Sequence, residues 1–240
     1  MGSDRLDIEL LRRGLARSRT AAQTLIKENK VLVNGVFCNT SNKKVQQGDV
    51  ITVTEKQKYV SRGGDKLSGA IEVFNINVEG LDCIDVGSST GGFTDCLLQH
   101  GAKHVTAVDV GRDQFDKSLL EKNRDKISLF EGVDIREFRM GTSFDILVCD
   151  ASFISVRLLV ESFYRLLKVG GLGIILIKPQ FEVGRGNTKK GIVREAVLRE
   201  QALADAVAEF EKHNFTILGT CDSPIQGGDG NHEYFVCIQK

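Results

Sequence analysis

Three charged residues stand where apolar runs of the second half begin or end: Asp150 closes "FDILVCD", Lys178 closes "GIILIK", and Glu233 opens "EYFVCIQ". Singly, a charge after such a run is a solvated turn. Together, a lysine among carboxylates is a set that can take a proton from a hydroxyl, provided the amine's neutral form is accessible. An ordinary lysine titrates near about 10.4; burial and a second amine lower that value, while carboxylates raise it and hold the amine in place. Lys66, in "YVSRGGDKL", is a fourth member. Its own fragment leaves open a surface charge, a phosphate ligand on a glycine-rich loop, or a place in the site.

These residues can meet only if the elements bring them to one rim. From residue 82 the chain alternates short apolar runs with helical stretches, the pattern of a parallel α/β sheet. Strands are expected at 83–87, 104–110, 127–132, 144–150, 173–178, 215–221 and 233–239, and helices at 65–75, 92–100, 154–168 and 195–213. Doubly wound sheets bind ligands at the carboxyl ends of their strands. "DVGSSTGGFTD" stands at the first such end and supplies Asp85, Gly87, Ser88, Ser89, Thr90, Gly91, Gly92 and Phe93. It is neither the dinucleotide fingerprint nor a Walker loop. Asp109, followed by Val110, ends the next strand and suits a ribose diol; Asp134, after the third, suits an adenine amino group. A glycine loop followed by acids at two successive strand ends looks like an S-adenosylmethionine site. As aromatics, Phe93 and Phe115 read as core rather than stacking groups.

The first part of the chain differs in charge. Residues 1–66 carry 13 Lys/Arg against 7 Asp/Glu, and the remainder 19 against 25, so a formal net charge of +0 conceals +6 and −6. Such a split suggests a basic module for nucleic acid. Leu6, Ile8, Leu10 and Leu11 begin a short helix that Gly14 stops, and Ser18 caps a second with Ala21, Ala22, Leu25 and Ile26 on its apolar face. "VLVNGVFC" is a hairpin about Asn34-Gly35, and "GDVITV" a further strand. Arg5, Arg12, Arg13, Arg17, Arg19, Lys27 and Lys30 are the basic residues about the helix pair, and Arg62 follows the linker "TEKQKY". Phosphate oxygens match such a cluster. In "EVGRGNTKKGIVR" (182–194), Arg185, Lys189, Lys190 and Arg194 stand among three glycines and form a mobile lid expected to order on RNA.

Other classes are excluded. The longest apolar run, "GIILI", is far short of the roughly 20 residues that span a bilayer. No signal peptide is expected, no membrane partner, and a cytoplasmic location; the "MGS" start is set aside as an expression remnant. Six cysteines without a CxxC read as buried thiols, and the four histidines show no ligand spacing with them, so no metal site is expected. Cys149 is a strand-core thiol. "CDAS" is not the motif of exocyclic-amine methylation, and no Pro-Cys serves carbon-5 cytosine chemistry.

Residues 5–54 resemble the S4 RNA-binding domain, in the order helix, helix, "VLVNG" hairpin, "GDVITV". Farther on, "YVSRGGDKL", "DVGSSTGGFTDCLLQHGA", "VDVG", "DASFIS", "KPQFE" and "GGDGNHEYF" resemble the FtsJ-type ribose 2′-O-methyltransferases, and with the S4 module in front the TlyA family. The resemblance implies an α/β Rossmann-like class I methyltransferase domain (61–240) with a seven-stranded, mostly parallel sheet. A small α+β S4 RNA-binding domain (1–54) and a linker (55–60) precede it. It also implies S-adenosylmethionine as cofactor, ribosomal RNA or ribosomal subunits as partner, and methylation of a cytidine ribose in 23S rRNA, longer members adding 16S. By position the catalytic tetrad is Lys66, Asp150, Lys178 and Glu233. Lys178 is the base, Asp150 and Glu233 orient it, and Lys66 tunes charge and positions the hydroxyl. An assembly factor with an inactive methyltransferase fold is the alternative; a haemolysin, the label many members carry, has no segment here long enough to insert. The oligomeric state is not set by the sequence.

Overall fold

The computed structural model describes residues 3–55, 58–184, 186–227 and 230–240. The chain divides into two units, Met1–Lys58 and Tyr59–Lys240. Each has its own core.

In the first, β1 (Asp4–Arg5) leads into α1 (Leu6–Arg12), and α2 (Arg19–Lys27) starts where the Ser18 hydroxyl accepts the Ala21 N–H. Strands β2 (Val31–Val33), β3 (Val36–Phe37), β4 (Lys44–Val45) and β5 (Ile51–Val53) complete it, with β3-β2-β5 an antiparallel sheet and β1 paired to β4. Asn34 and Gly35 both adopt positive φ, +54° and +79°, as a two-residue I′ hairpin requires. The apolar face of α2 is buried as expected. On α1 only Leu6 and Leu10 are buried, while Ile8 and Leu11 are exposed; Asp7 and Glu9 take the inward positions instead. They are tolerated there because arginines neutralise them. Asp7 accepts from Arg5, Arg19 and Gln23, and Glu9 from Arg12 and Arg13.

The second unit opens two residues earlier than the sequence suggested. Tyr59 and Val60, expected in the linker, belong to it: the Tyr59 ring is buried against Gly64, where a side chain would collide with it, and its hydroxyl bonds Ser68. The elements are α3 (Arg62–Phe74), β6 (Asp82–Val86), α4 (Gly92–Gln99), β7 (His104–Asp109), α5 (Lys117–Lys122), β8 (Ile127–Glu131), β9 (Phe144–Cys149), α6 (Val160–Leu166), β10 (Leu167–Ile177), α7 (Pro179–Glu182), α8 (Ala196–Lys212), β11 (Thr216–Asp222) and β12 (Tyr234–Gln239). The sheet order is β11-β12-β10-β9-β6-β7-β8. Strands β8, β7, β6, β9 and β10 run parallel, and β12 inserts antiparallel between β10 and β11. One core cluster packs Ile84, Leu147, Phe163 and Phe210 on one side, and another packs Leu67, Leu97, Ile146 and Phe235. Both faces are covered, so the central strands read as unbroken apolar runs. All the cysteines are free; Cys221 is half-buried and the other five buried.

Candidate active site

The order of the sheet reverses beside β6, and a cleft of about 470 Å³ opens at the carboxyl ends of the strands there, within the usual range for small-molecule sites. Gly87, Ser89, Asp109, Val110, Asp134 and Asp150, all expected at a cofactor site, line it. Gly87 has φ +79°, and a Cβ there would stand 3.0 Å from the Ala151 nitrogen. Both Asp109 oxygens accept backbone N–H groups, from Ser89 and Gly111, at 2.7 Å each. That fixes the carboxylate while leaving lone pairs for a ligand. Asp134 is held by Arg136, whose guanidinium keeps its carboxyl below the usual range.

The other loop residues do not line the cleft. Asp85 is fully buried beneath the loop, accepting from the Thr94 hydroxyl at 2.7 Å, and burial pushes its carboxyl up to about 7. Ser88, Gly91 and Gly92 are buried, and Thr90 is exposed away from the cleft. Phe93 packs in the core beside Phe235, and Phe115 is also core. The loop thus contributes fewer residues than its sequence suggested, because its second half already starts α4 and packs on α3. Gln114, Val133 and Ile135 line the cleft and carried no sequence signal, and Gly111 and Phe153, within "VDVG" and "DASFIS", line it too.

At the adjoining rim the lysines and carboxylates meet in two pairs. Lys178 Nζ lies 2.6 Å from Asp150 Oδ1, and donates to Ser152 Oγ at 2.7 Å and the Asp150 carbonyl at 3.3 Å. Lys66 Nζ lies 2.5 Å from Glu233 Oε2, both side chains almost completely buried. The pairs are adjacent because Ile177 is in register with Tyr234, so Lys178 and Glu233 face each other one residue beyond the ladder. Glu233 therefore holds Lys66, and Lys178 is oriented by Asp150 and Ser152; the expected pairing of Glu233 with Lys178 is replaced. Gly63 and Gly64 serve helix packing, against Phe93 and Tyr59.

Beside this rim Phe153 is 91% exposed and has a φ of +65°. A bulky residue in that region is strained, and its ring leans on Phe181 at 5.3 Å. Glu182, a further residue that sequence reasoning passed over, is buried and ties α7 to this loop by accepting from Ser155 Oγ and Val156 N–H. The signal was present in "KPQFE" and "DASFIS", but the pairing spans 26 and 27 residues.

The basic residues divide. Arg12 and Arg19, on Glu9 and Asp7, keep about half of their side-chain surface. Arg5 is paired to Asp7 and less exposed. Arg13 is structural: besides Glu9 it donates to the carbonyls of Asp49, Gln46 and Gln47, pinning α1 to the turn before β5. Lys27 is exposed, and so are Lys189 and Lys190; Arg62 is half-buried at the start of α3. Arg17, between the helices of the first unit, is exposed, and Arg185 lies outside the described residues. The expected mobile lid is pinned at both ends among the described residues, by Glu182 and by Asn231, which holds Gly191 and Val193.

This strand order, with its antiparallel seventh strand and a cleft at the switch point, defines a class I methyltransferase. The chain belongs to the FtsJ-like methyltransferase family, whose model matches residues 59–240; residues 4–51 match the S4 domain. It is 41% identical to Hemolysin A of Brachyspira hyodysenteriae, over 96% of this chain and 97% of that one. It is 37% identical to the 16S/23S rRNA (cytidine-2′-O)-methyltransferase TlyA of Mycobacterium tuberculosis, over 98% of this chain and 89% of that one. A solved structure of a hemolysin-named protein from Streptococcus thermophilus superposes with a TM-score of 0.78 at 37% identity, covering 100% of this chain and 89% of that one. Among the described residues no helix is long and apolar enough to cross a membrane.

Proposed function

We propose that this chain transfers a methyl group from S-adenosylmethionine to the ribose 2′-hydroxyl of a cytidine in 23S ribosomal RNA, in the cytoplasm. In this reading residues 1–54 hold the RNA and residues 61–240 carry the chemistry. The observation that carries it is the double role of Asp150, which lines the cleft and pairs with Lys178. A lysine amine is thereby held at the edge of the cofactor site.

The cleft suits the cofactor on its own features. Only glycine fits at 87, and a carboxylate pre-set by two N–H groups stands at the next strand end. Asp109 would hold the ribose diol and Asp134 the adenine edge, with Gly87 and Ser89 close to the backbone. S-adenosylmethionine supplies an electrophilic methyl on a sulfonium. Lys178 Nζ takes the hydroxyl proton as the oxygen attacks, and Asp150 and Ser152 fix its direction. Lys66, neutralised by Glu233, keeps a second positive charge near the entering RNA without leaving it uncompensated. Alignment of the reacting atoms supplies much of the acceleration. Phe153 offers an exposed π-face at this rim for a base drawn out of its stack.

Gly87→Ala is expected to weaken S-adenosylmethionine binding at least about tenfold with the fold retained, because an alanine at positive φ is strained and its methyl meets Ala151. Calorimetric titration beside circular dichroism checks this. The decisive experiment is transfer of labelled methyl to ribosomal RNA and to isolated subunits, followed by nucleoside digestion. Label in ribose supports the proposal; label on a base refutes the reaction class. Tight RNA binding with no transfer to any subunit favours the assembly-factor role instead.

A further inference from the structure

Asn231 is 2% exposed and stands two residues before Glu233. Its side chain is spent on one neighbouring segment: Oδ1 accepts the Val193 N–H at 3.1 Å, and Nδ2 donates to the Gly191 carbonyl at 2.9 Å. Its own carbonyl accepts the Gly227 N–H at 2.9 Å. That turn lies against the site, since a Cβ on Gly227 would collide with the Glu233 carboxylate.

The segment it holds is a tight hairpin. Lys189 and Ile192 bond each other in both directions, at 3.0 and 3.1 Å, around Lys190 at φ +53° and Gly191 at φ +78°. Two left-handed central residues make this a preformed I′ turn. It presents Lys189 and Lys190 to solvent, with Val193 buried at its base. Replacing the amide by an apolar group would orphan a buried donor and an acceptor together, the costly direction of hydrogen-bond loss.

We infer that Asn231 is a positioning residue that fixes the dibasic hairpin tip to the Glu233 arm of the site. RNA phosphate held at Lys189 and Lys190 is thereby in register with the Glu233–Lys66 pair. This rests on the RNA-methylation reading and adds the link by which flanking backbone contact aligns the reacting nucleotide. Aspartate cannot substitute, because it has no donor for the Gly191 carbonyl.

The test compares Asn231→Ala, Asn231→Asp, the double variant Lys189→Ala/Lys190→Ala, and the combination of Asn231→Ala with that double variant, all in the full chain. Each of the first three is expected to lower kcat/KM for ribosomal RNA by roughly ten- to a hundredfold, with S-adenosylmethionine affinity unchanged. The combination should be no worse than the weaker of its parents, because both remove one link. Multiplied losses would overturn the inference, as would wild-type rates in Asn231→Ala. A second readout needs no turnover. Hydrogen exchange in Asn231→Ala should quicken in 188–193 and in 230–235 together, with β9 and β10 unchanged. Loosening of 188–193 alone would refute the link to Glu233. A wild type that transfers no methyl would sink the enzymatic reading, and the exchange data would still decide the link.

Discussion

Replacing Lys178 by alanine is expected to lower ribose methylation about a thousandfold, within the roughly 10²–10⁴ that a positioned base contributes, while S-adenosylmethionine binding stays within about threefold of wild type. The separation is expected because Asp150, not Lys178, lines the cleft. Lys178→Arg should be equally inactive, since a guanidinium stays protonated and cannot accept the hydroxyl proton. Asp150→Asn should cost both rate and cofactor affinity, because it alters the cleft and the lysine's partner together. Single-turnover rates, equilibrium binding and circular dichroism on each variant check these outcomes. If Lys178→Ala kept more than about a tenth of the wild-type rate, the base would lie elsewhere, and Lys66 would be the next to replace.

The second large effect falls on the first unit. Asp7→Ala removes a buried carboxylate that joins β1 and α1 to α2 through Arg5, Arg19 and Gln23. Breaking a buried pair costs about 3–5 kcal/mol, and the half-exposed arginines put this case at the lower end. A domain of this size has little to spare, so its melting transition should fall by roughly 15 °C or more. RNA affinity should fall with it, while cofactor binding by the second unit persists. Acid should act in the same place. Arg5 holds the Asp7 carboxyl well below the usual carboxylate range, and Arg12 and Arg13 hold Glu9 at about 2. Depressed folded values mean that these groups stabilise the fold fully above their ordinary values near about 4, and that the contribution is lost as pH falls toward 2. Calorimetry of the full chain from pH 7 to pH 2 should show the first transition moving down before the second. Coincident shifts would mean that these acids do not govern the first unit.

Much of this was legible in the chain because chemistry and punctuation coincide. Asp109, Asp150, Lys178 and Glu233 each sit at the edge of an apolar run, and the run defines the strand that aims them. Pairing was less legible: Lys66 and Glu233 are 167 residues apart, and only the sheet order says which carboxylate meets which lysine. In the first unit, "LDIELL" offers apolar side chains on both sides of a short helix. Burial of Asp7 and Glu9 over Ile8 and Leu11 depended on arginines supplied by the start of α2, by α1 and by the residues at either end of α1. Phe93 invited two readings, loop ligand by position and core by its aromatic ring, and the second holds. It lies inside the cofactor motif, yet the helix that the motif starts turns it into the core. The α5 and α7 helices, of six and four residues, are too short to leave a periodic signature.

The pairing of arginines to Asp7 and Glu9 has a further consequence for how the first unit meets a polyanion. Each phosphate neutralised by a protein cation frees counterions condensed on the nucleic acid, and affinity falls with added salt in proportion. Arg5, Arg12, Arg13 and Arg19 already share the carboxylates of Asp7 and Glu9 inside the protein, so about half of their charge is balanced before RNA arrives. They can direct N–H groups at phosphate oxygens, but they release fewer ions in doing so than four free cations would. The ionic-strength exponent of RNA binding should therefore fall well short of the number of basic residues on this unit.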